Sequence, residues 1–393
     1  MEQHGAGRSG THPAPSRLVE RADGAGSGGK MKQGAMSPSI VLGVCAWAMF
    51  ALPGAKACGG ARQDDADAGA TPPRSAAPFS PCSSAIKGGT KATCAVPGFE
   101  GREYDVHLPP AYDGASPIPV VFAFHGGSGN RTSMHTFTCS EGKAGGTCLT
   151  SIANARGYAV VMPNGTPIGP WLRADLRAWY AGGGVDGYRC VGEPTCEKDS
   201  RDEAYIRAVL DDLARRVTID EKRIYATGHS NGGAFTHRVA CQLSDRFAAI
   251  AAVSGAMQWT VNEVCKPDRA IPVLHVHGTA DKCWSYTGGP PPGCANGQPG
   301  LAHVSVERTM AEWAANHGCD GTAPKEETLP DTEPLDGTRT TRRTWSGCSA
   351  PLVELRVEGM GHTWPGGQDL PLLLGRVVRD WDSNLILDFF EGK

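Results

Sequence analysis

Ile224-Tyr-Ala-Thr-Gly-His-Ser-Asn-Gly-Gly233 is the stretch from which the rest of the chain is read. A β-prone run, Arg223 to Thr227, leads into Gly228-His229-Ser230-Asn231-Gly232, and a helix-like segment follows. This is G-x-S-x-G at a strand-to-helix turn, a nucleophile elbow. The turn is sharp, so the pattern predicts Ser230 at strained dihedrals with its hydroxyl standing above a sheet. Glycines two before and two after the serine leave room for that close approach. The helix start offers N–H groups and a partial positive charge where an oxyanion would develop. The competing reading is a Gly-rich β-to-α turn with an incidental serine.

Outward from the elbow, apolar runs alternate with segments of helical spacing. Tyr104-Asp-Val-His-Leu108 alternates as an edge strand, while Pro119–Phe124 and Tyr158–Met162 are continuous runs suited to buried parallel strands. Tyr205, Ile206, Val209, Leu210, Leu213 and Val217 fall on one helical stripe, which is core packing. Ala248–Val253, Ile271–Val276 and Leu352–Val357 supply three further strands. Helical stretches lie near Ile152, from Val306 to Ala315 and from Leu385 to Phe390. Strands alternating with helices imply an α/β fold: a mostly parallel sheet with helices on both faces.

A serine nucleophile needs a general base, and the base needs an orienting acid. Elbow enzymes place them in the order serine, acid, histidine, in loops after later strands. His277-Gly-Thr-Ala-Asp281 follows one such strand and Gly359-Met-Gly-His362 follows the next. Ser230, Asp281 and His362 therefore converge on one sheet edge, with Asp320 and Asp202 as weaker candidates for the acid. His125-Gly-Gly-Ser-Gly-Asn130 follows the strand ending at Phe124, where a second oxyanion donor belongs. The N–H of Gly127 or Ser128 would join that of Asn231. A flexible turn is the other reading of those glycines. His275-Val-His277 presents two imidazoles on one strand face. No H-E-x-x-H or carboxylate-rich partner accompanies them, and no metal or cofactor is expected.

With 40% hydrophobic and 20% charged residues, the 393-residue chain has the balance of a globular protein. A net charge of −3 and the lack of long charge runs give no footing for nucleic acid. Residues 1–30, rich in Gly, Ser, Pro and Arg, read as a disordered or untranslated extension. From Met31, Lys32 precedes an apolar run, Ile40–Leu52, and then Ala55-Lys-Ala57, the layout of a secretory signal over residues 31–57. The run is too short to span a bilayer comfortably. Cys58 follows directly, where bacterial lipoproteins carry a lipidated cysteine, although Ala55 and Lys56 depart from that pattern. A polar linker, residues 58–81, would then lead to a catalytic domain over residues 82–393. Of the 14 cysteines, 12 lie between Cys82 and Cys348, an even number that suits an exported, disulfide-stabilised domain. Nearest neighbours pair as Cys82/Cys94, Cys139/Cys148, Cys190/Cys196, Cys241/Cys265, Cys283/Cys294 and Cys319/Cys348. Sequence alone leaves the connectivity open. A zinc cluster lacks any paired C-x-x-C.

Four segments together resemble the secreted esterase branch of the α/β hydrolases that holds polyhydroxybutyrate depolymerases and feruloyl esterases. They are His125–Asn130, Tyr225–Gly233, His277–Asp281 and Gly361-His-Thr-Trp-Pro-Gly366, the last being the most specific. The resemblance runs from about Gly98 to the C-terminus. It implies a cofactor-free, exported carboxylic ester hydrolase acting on polymers or their fragments, with Ser230, Asp281 and His362 as its triad. Trp179-Tyr-Ala-Gly-Gly183 is similar to a segment lining the family's cleft. Where the family shows paired aspartates, this chain reads Asp202-Glu203. Trp179, Tyr180, Trp284 and Trp364 are the substrate-binding candidates, with Tyr286 beside them. Ala123–Gly127 and Trp179–Gly183 are closer to feruloyl esterases, which favours feruloyl or acetyl esters of plant polysaccharide over polyhydroxyalkanoate. A serine peptidase with the same elbow would need a propeller domain for which the chain has no room. A non-catalytic surface binding protein would have lost one of the elements that all stand here.

Overall fold

The computed structural model describes residues 82, 85–142, 147–169, 175–191, 196, 201–293, 302–321 and 323–392. These belong to one compact unit, Met49–Lys393. The expected extension, signal and linker, Cys58 among them, lie outside the described residues.

The polar-apolar alternation near the start forms an antiparallel pair, β1 (Lys91–Ala95) and β2 (Glu103–His107). β3 (Ile118–Phe124) is buried along its whole length and is followed by α1 (Arg131–Phe137) and α2 (Leu149–Ala155). β4 (Ala159–Pro163) comes next, then a two-residue ribbon of β5 (Thr166–Pro167) and β6 (Arg177–Ala178). α3 (Asp202–Ala214) leads into β7 (Ile219–His229), the elbow strand, and α4 (Asn231–Gln242), the elbow helix. After them come β8 (Ala249–Val253), β9 (Val273–Gly278) and α5 (Val306–Asn316). β10 (Lys325–Thr328), β11 (Arg339–Thr344), β12 (Leu352–Glu358) and α6 (Ser383–Phe390) complete the order.

The strands form a 10-stranded sheet in the order β1-β2-β4-β3-β7-β8-β9-β12-β11-β10. From β4 to β12 all neighbours are parallel, and antiparallel strands close both ends. The segment expected as an edge strand, Tyr104–Leu108, is therefore interior: β2 pairs with β1 on one side and β4 on the other. Its alternation comes from the salt-bridged Asp105, buried between Lys91 and Arg131, and not from a solvent face.

A parallel sheet needs cover on both faces, and β3 shows how the residues divide. Val120, Phe122 and Phe124 point into one core with Tyr205, Leu210, Phe235 and Trp313 of α3, α4 and α5. Val121 and Ala123 point into the other, with Met134, Leu149 and Ile386 of α1, α2 and α6. Phe124 meets the Phe235 ring edge-on at 5.0 Å and Phe122 meets Phe247 at 5.5 Å. Each such fully buried side chain contributes roughly 1.5–3 kcal/mol. This is the α/β-hydrolase fold. The chain runs from β3 outward to β4 and then returns to lay β7 on the other side of β3. That reversal of strand order opens a crevice at the carboxyl ends of β3 and β7, where open α/β sheets bind ligands.

Cys82–Cys94, Cys139–Cys148, Cys190–Cys196, Cys241–Cys265 and Cys319–Cys348 are disulfides. Cys283 is also disulfide-bonded, while Cys294, its expected partner, lies outside the described residues.

Candidate active site

At the end of β7 the chain turns into α4 through Ser230, whose φ is 58° and ψ −123°. A serine held in that region is strained, and the surroundings fix it there. Ser230 N donates to Val253 O of β8 at 2.9 Å, and Ser230 O accepts from Ala234 N at 2.9 Å. A Cβ at Gly228 would collide with the carbonyl of Gly232, and one at Gly232 with the carbonyls of Phe124 and His125. The elbow glycines therefore let strand, turn and helix touch. Among the described residues the Ser230 hydroxyl makes no hydrogen bond, and its residue is partly open while its neighbours are buried.

β9 ends at Gly278 and delivers Asp281, and β12 ends at Glu358 and delivers His362. His362 Nδ1 lies 2.7 Å from Asp281 Oδ2, and both side chains are buried. Asp281 Oδ1 accepts from the backbone N–H groups of Cys283 and Trp284, each at 2.8 Å. Burial alone would raise the Asp281 pKa, but the neighbouring His362 and His277 outweigh it and hold the carboxyl well below its usual range. An ionised acid on Nδ1 leaves Nε2 as the nitrogen available to accept a proton. The His229 ring packs on His362 at 4.6 Å and on Phe137 at 4.4 Å, bracing the imidazole from below. Asp202 sits elsewhere, ion-paired to Arg102 at 2.7 Å, and Asp320 lies against Gly347 near the Cys319–Cys348 bridge.

The loop after β3 lies directly against the elbow. A Cβ on Gly126 would stand 3.3 Å from Ser230 Cβ, and Ser128 takes a left-handed φ of 63°. His125 locks this loop: Nδ1–H donates to Gly126 O at 2.8 Å, and Nε2 accepts Gly165 N–H at 2.9 Å. Burial lowers the His125 pKa to about 3, which keeps it neutral in that role. The backbone N–H groups of Gly127, Ser128 and Asn231 donate to no protein acceptor among the described residues, the last because it is the first helical position. His125 reads in the sequence only as part of a glycine-rich loop. Its anchoring role has no local signature, because its partner Gly165 comes from beyond the far end of β4.

The aromatic candidates lie deep in the structure. Trp179 is fully buried, stacked on Phe235 at 4.7 Å, with Nε1–H bonded to His125 O at 3.1 Å. Tyr180 is buried against Trp259, and its N–H bonds Asp202 Oδ2 at 2.7 Å. Trp364 is fully buried with Nε1–H on Ser383 Oγ at 3.0 Å. Tyr286 is buried and bonds Glu354. These groups are committed to internal partners, and the side chains are part of the core beside the elbow. Trp284 is also buried and stacks on His303 at 4.1 Å, but its N–H to Asp281 places it in the acid loop. Asp202, which stands where the family pairs aspartates, holds Tyr180, Arg102 and Thr166 together.

A family model described as "Prolyl oligopeptidase family" matches residues 201–266, the stretch containing the elbow. The chain is 28% identical over 371 residues to "Putative esterase NocK" of Nocardia uniformis subsp. tsuyamanensis, covering 88% of this chain and 97% of that protein. It is 28% identical over 231 residues to "Feruloyl esterase B" of Piromyces equi, covering 58% of this chain and 37% of that protein, so it spans little over a third of that longer relative. "Feruloyl esterase C" of Emericella nidulans is 25% identical over 69% of this chain and 79% of its own length. Among solved structures, an acetyl xylan esterase from Aspergillus awamori aligns at a TM-score of 0.48 and 15% identity, over 78% of this chain and 100% of that one. The chain thus has the α/β-hydrolase fold, and the relatives it resembles are named as esterases. Within that class it is similar to feruloyl esterases.

Proposed function

We propose that the chain is an exported carboxylic ester hydrolase whose triad is Ser230, His362 and Asp281. The 2.7 Å contact between His362 Nδ1 and Asp281 Oδ2, beside a serine at an elbow, supports the reading most. His362 Nε2 removes the Ser230 proton as Oγ attacks the ester carbonyl. The N–H groups of Asn231 and of Gly127 or Ser128 receive the oxyanion. The imidazolium then protonates the departing alkoxide, leaving an acyl-serine. Water, deprotonated by His362, attacks that ester, and Ser230 leaves with the proton returned. Asp281 stays ionised throughout and stabilises the imidazolium.

The substrate class is a feruloyl or acetyl ester on plant polysaccharide, as the names of the relatives suggest. The disulfides accord with export. Among the described residues no helix is long and apolar enough to cross a membrane. The signal over residues 31–57 and a lipid anchor at Cys58, as an alternative to simple release, belong to the same proposal. The test is hydrolysis of methyl ferulate and a short-chain nitrophenyl acetate by the disulfide-formed chain and its Ser230→Ala variant. Turnover of both, lost in the variant, is the expected result. Turnover of the short ester alone moves the substrate away from hydroxycinnamoyl esters, and equal rates in variant and wild type overturn the mechanism.

A further inference from the structure

Behind Asp281 lies a row of buried histidines that hydrolysis as described does not use. Trp313 of α5 donates its Nε1–H to His237 Nδ1 of α4 at 3.0 Å. His237 Nε2 lies 3.2 Å from His275 Nδ1 of β9, and His275 Nε2 lies 3.1 Å from His277 Nδ1. His277 Nε2 lies 2.8 Å from Trp284 O and 3.4 Å from Asp281 Oδ2. All four side chains are fully buried, and the imidazoles are stacked in sequence at 5.3 Å centroid spacing.

Hydrogen-bond logic allows one assignment. An indole N–H only donates, so His237 Nδ1 accepts and its proton sits on Nε2. That proton goes to His275 Nδ1, which places the next proton on His275 Nε2 and so on to His277. At the far end Nε2–H of His277 meets a carbonyl and a carboxylate, both of which only accept. The two ends demand the same tautomer, and neither end could accept a reversed chain without burying an unpaired group. Burial lowers the pKa of His237 to about 3 and that of His275 well below its ordinary value, which keeps both rings neutral.

We propose that Trp313, His237, His275 and His277 form a one-way hydrogen-bond chain, each histidine neutral and protonated on Nε2, that positions Asp281 for its work on His362. His277 is the positioning residue in contact with the acid, and the others fix its tautomer and ring plane. With His277 in place the carboxylate receives two backbone N–H groups on Oδ1 and His362 on Oδ2, and His277 Nε2, bonded to Trp284 O, stands 3.4 Å from the same Oδ2. That arrangement leaves Oδ2 one orientation, facing His362 Nδ1. Aligned bonds of this kind polarise one another in a low-dielectric interior. The chain also ties α5, on the outer layer, to the triad acid. The role rests on the Ser230-His362-Asp281 reading, but the tautomers do not.

The experiment uses the full chain with its disulfides formed and ¹⁵N-histidine incorporated. At neutral pH the long-range ¹H–¹⁵N correlations of His237, His275 and His277 should each show a neutral ring protonated on Nε2. A ring protonated on Nδ1, or a cationic one, overturns the proposal. His277→Gln, whose amide can still donate to Asp281, and His277→Phe, which cannot, are then compared for ester turnover. His277→Phe should lower kcat by about 10–100-fold with KM within about twofold, as misplacement of a catalytic group does, and His277→Gln should recover most of it. Trp313→Phe, which keeps the ring and removes the donor, should shift the His277 ring signals and the low-field Nδ1–H resonance of His362. An unmoved His362 resonance in both Trp313→Phe and His277→Phe, with wild-type kcat, overturns it. Failure of the triad reading would show separately, as no Ser230-dependent turnover by the wild type while the tautomers are still read without substrate.

Discussion

Asn231 and Trp179 hold each other through two hydrogen bonds: Asn231 Oδ1 accepts Trp179 N–H at 2.8 Å, and Asn231 Nδ2 donates to Trp179 O at 2.9 Å. The residue after Ser230 thus pins the neighbouring Trp179 segment with its side chain. Trp179 in turn bonds His125 O, the start of the loop after β3. The elbow and the loop after β3 are therefore tied together through Trp179.

Asn231→Ala should break that tie on the side-chain side only. It leaves two buried backbone groups of Trp179 unpaired, a loss of about 1–3 kcal/mol for each unsatisfied group. Thermal unfolding should fall by several degrees. kcat should fall more than KM rises, because the β3 loop loses its register against the elbow. Unchanged stability and kcat would show that the loop is fixed by other contacts.

Buried imidazoles make the protein acid-sensitive. Burial lowers His107 to about 4 and His125, His237 and His303 to about 3. Once unfolded, these rings take up protons as pH falls through about 6.5, while the folded ones stay neutral. The unfolded state then binds more protons, so stability is full above that value and declines between about 6.5 and 3–4. The slope is about 1.4 kcal/mol per pH unit for each such ring. Asp281, depressed by its histidines, acts in the same direction at lower pH. Melting temperatures measured from pH 8 to 4.5 should be level above about 7 and drop steeply below 6. A level profile to pH 4.5 would mean these rings are protonated in the native state.

Cys241–Cys265 joins the last turn of the elbow helix to the segment ahead of β9, closing a loop with a sequence separation of 24. Bridges of this kind contribute typically about 2–4 kcal/mol each. Reduction should lower the melting temperature markedly, and a Cys241→Ala/Cys265→Ala double variant should account for a measurable share of it. An unaltered melting temperature under reductant would remove the disulfides from the stability account.

The placement of Ser230, Asp281 and His362 just beyond the carboxyl ends of β7, β9 and β12 was readable because each follows an apolar run by a few residues, and a parallel sheet sends all such loops to one edge. The central strands were readable for the same reason: seven buried residues in a row at Ile118–Phe124 have few alternatives. β10 (Lys-Glu-Glu-Thr) and β11 (Arg-Thr-Thr-Arg-Arg-Thr) carry no apolar alternation, since much of their surface meets solvent, and they escape such a reading. The burial of the aromatic side chains was not legible, because a tryptophan beside a conspicuous glycine motif looks the same whether it lines a cleft or stacks behind one. Only the contacts of Phe235, Ser383 and Asp202 decide between the two. His275-Val-His277 invited a metal reading from strand alternation. The structure instead points both rings along one line toward Asp281, which depends on His237 arriving from a helix no local pattern connects to β9.

The central claim is that Ser230 is the nucleophile, and one measurement addresses it without assuming a substrate. The disulfide-formed chain is treated with a serine-reactive phosphonate, and its intact mass and tryptic peptides are recorded. One adduct per chain, on the peptide carrying Gly228-His-Ser-Asn-Gly232 and absent from Ser230→Ala, is the result this account predicts. No adduct, or an adduct that persists in the variant, would contradict it.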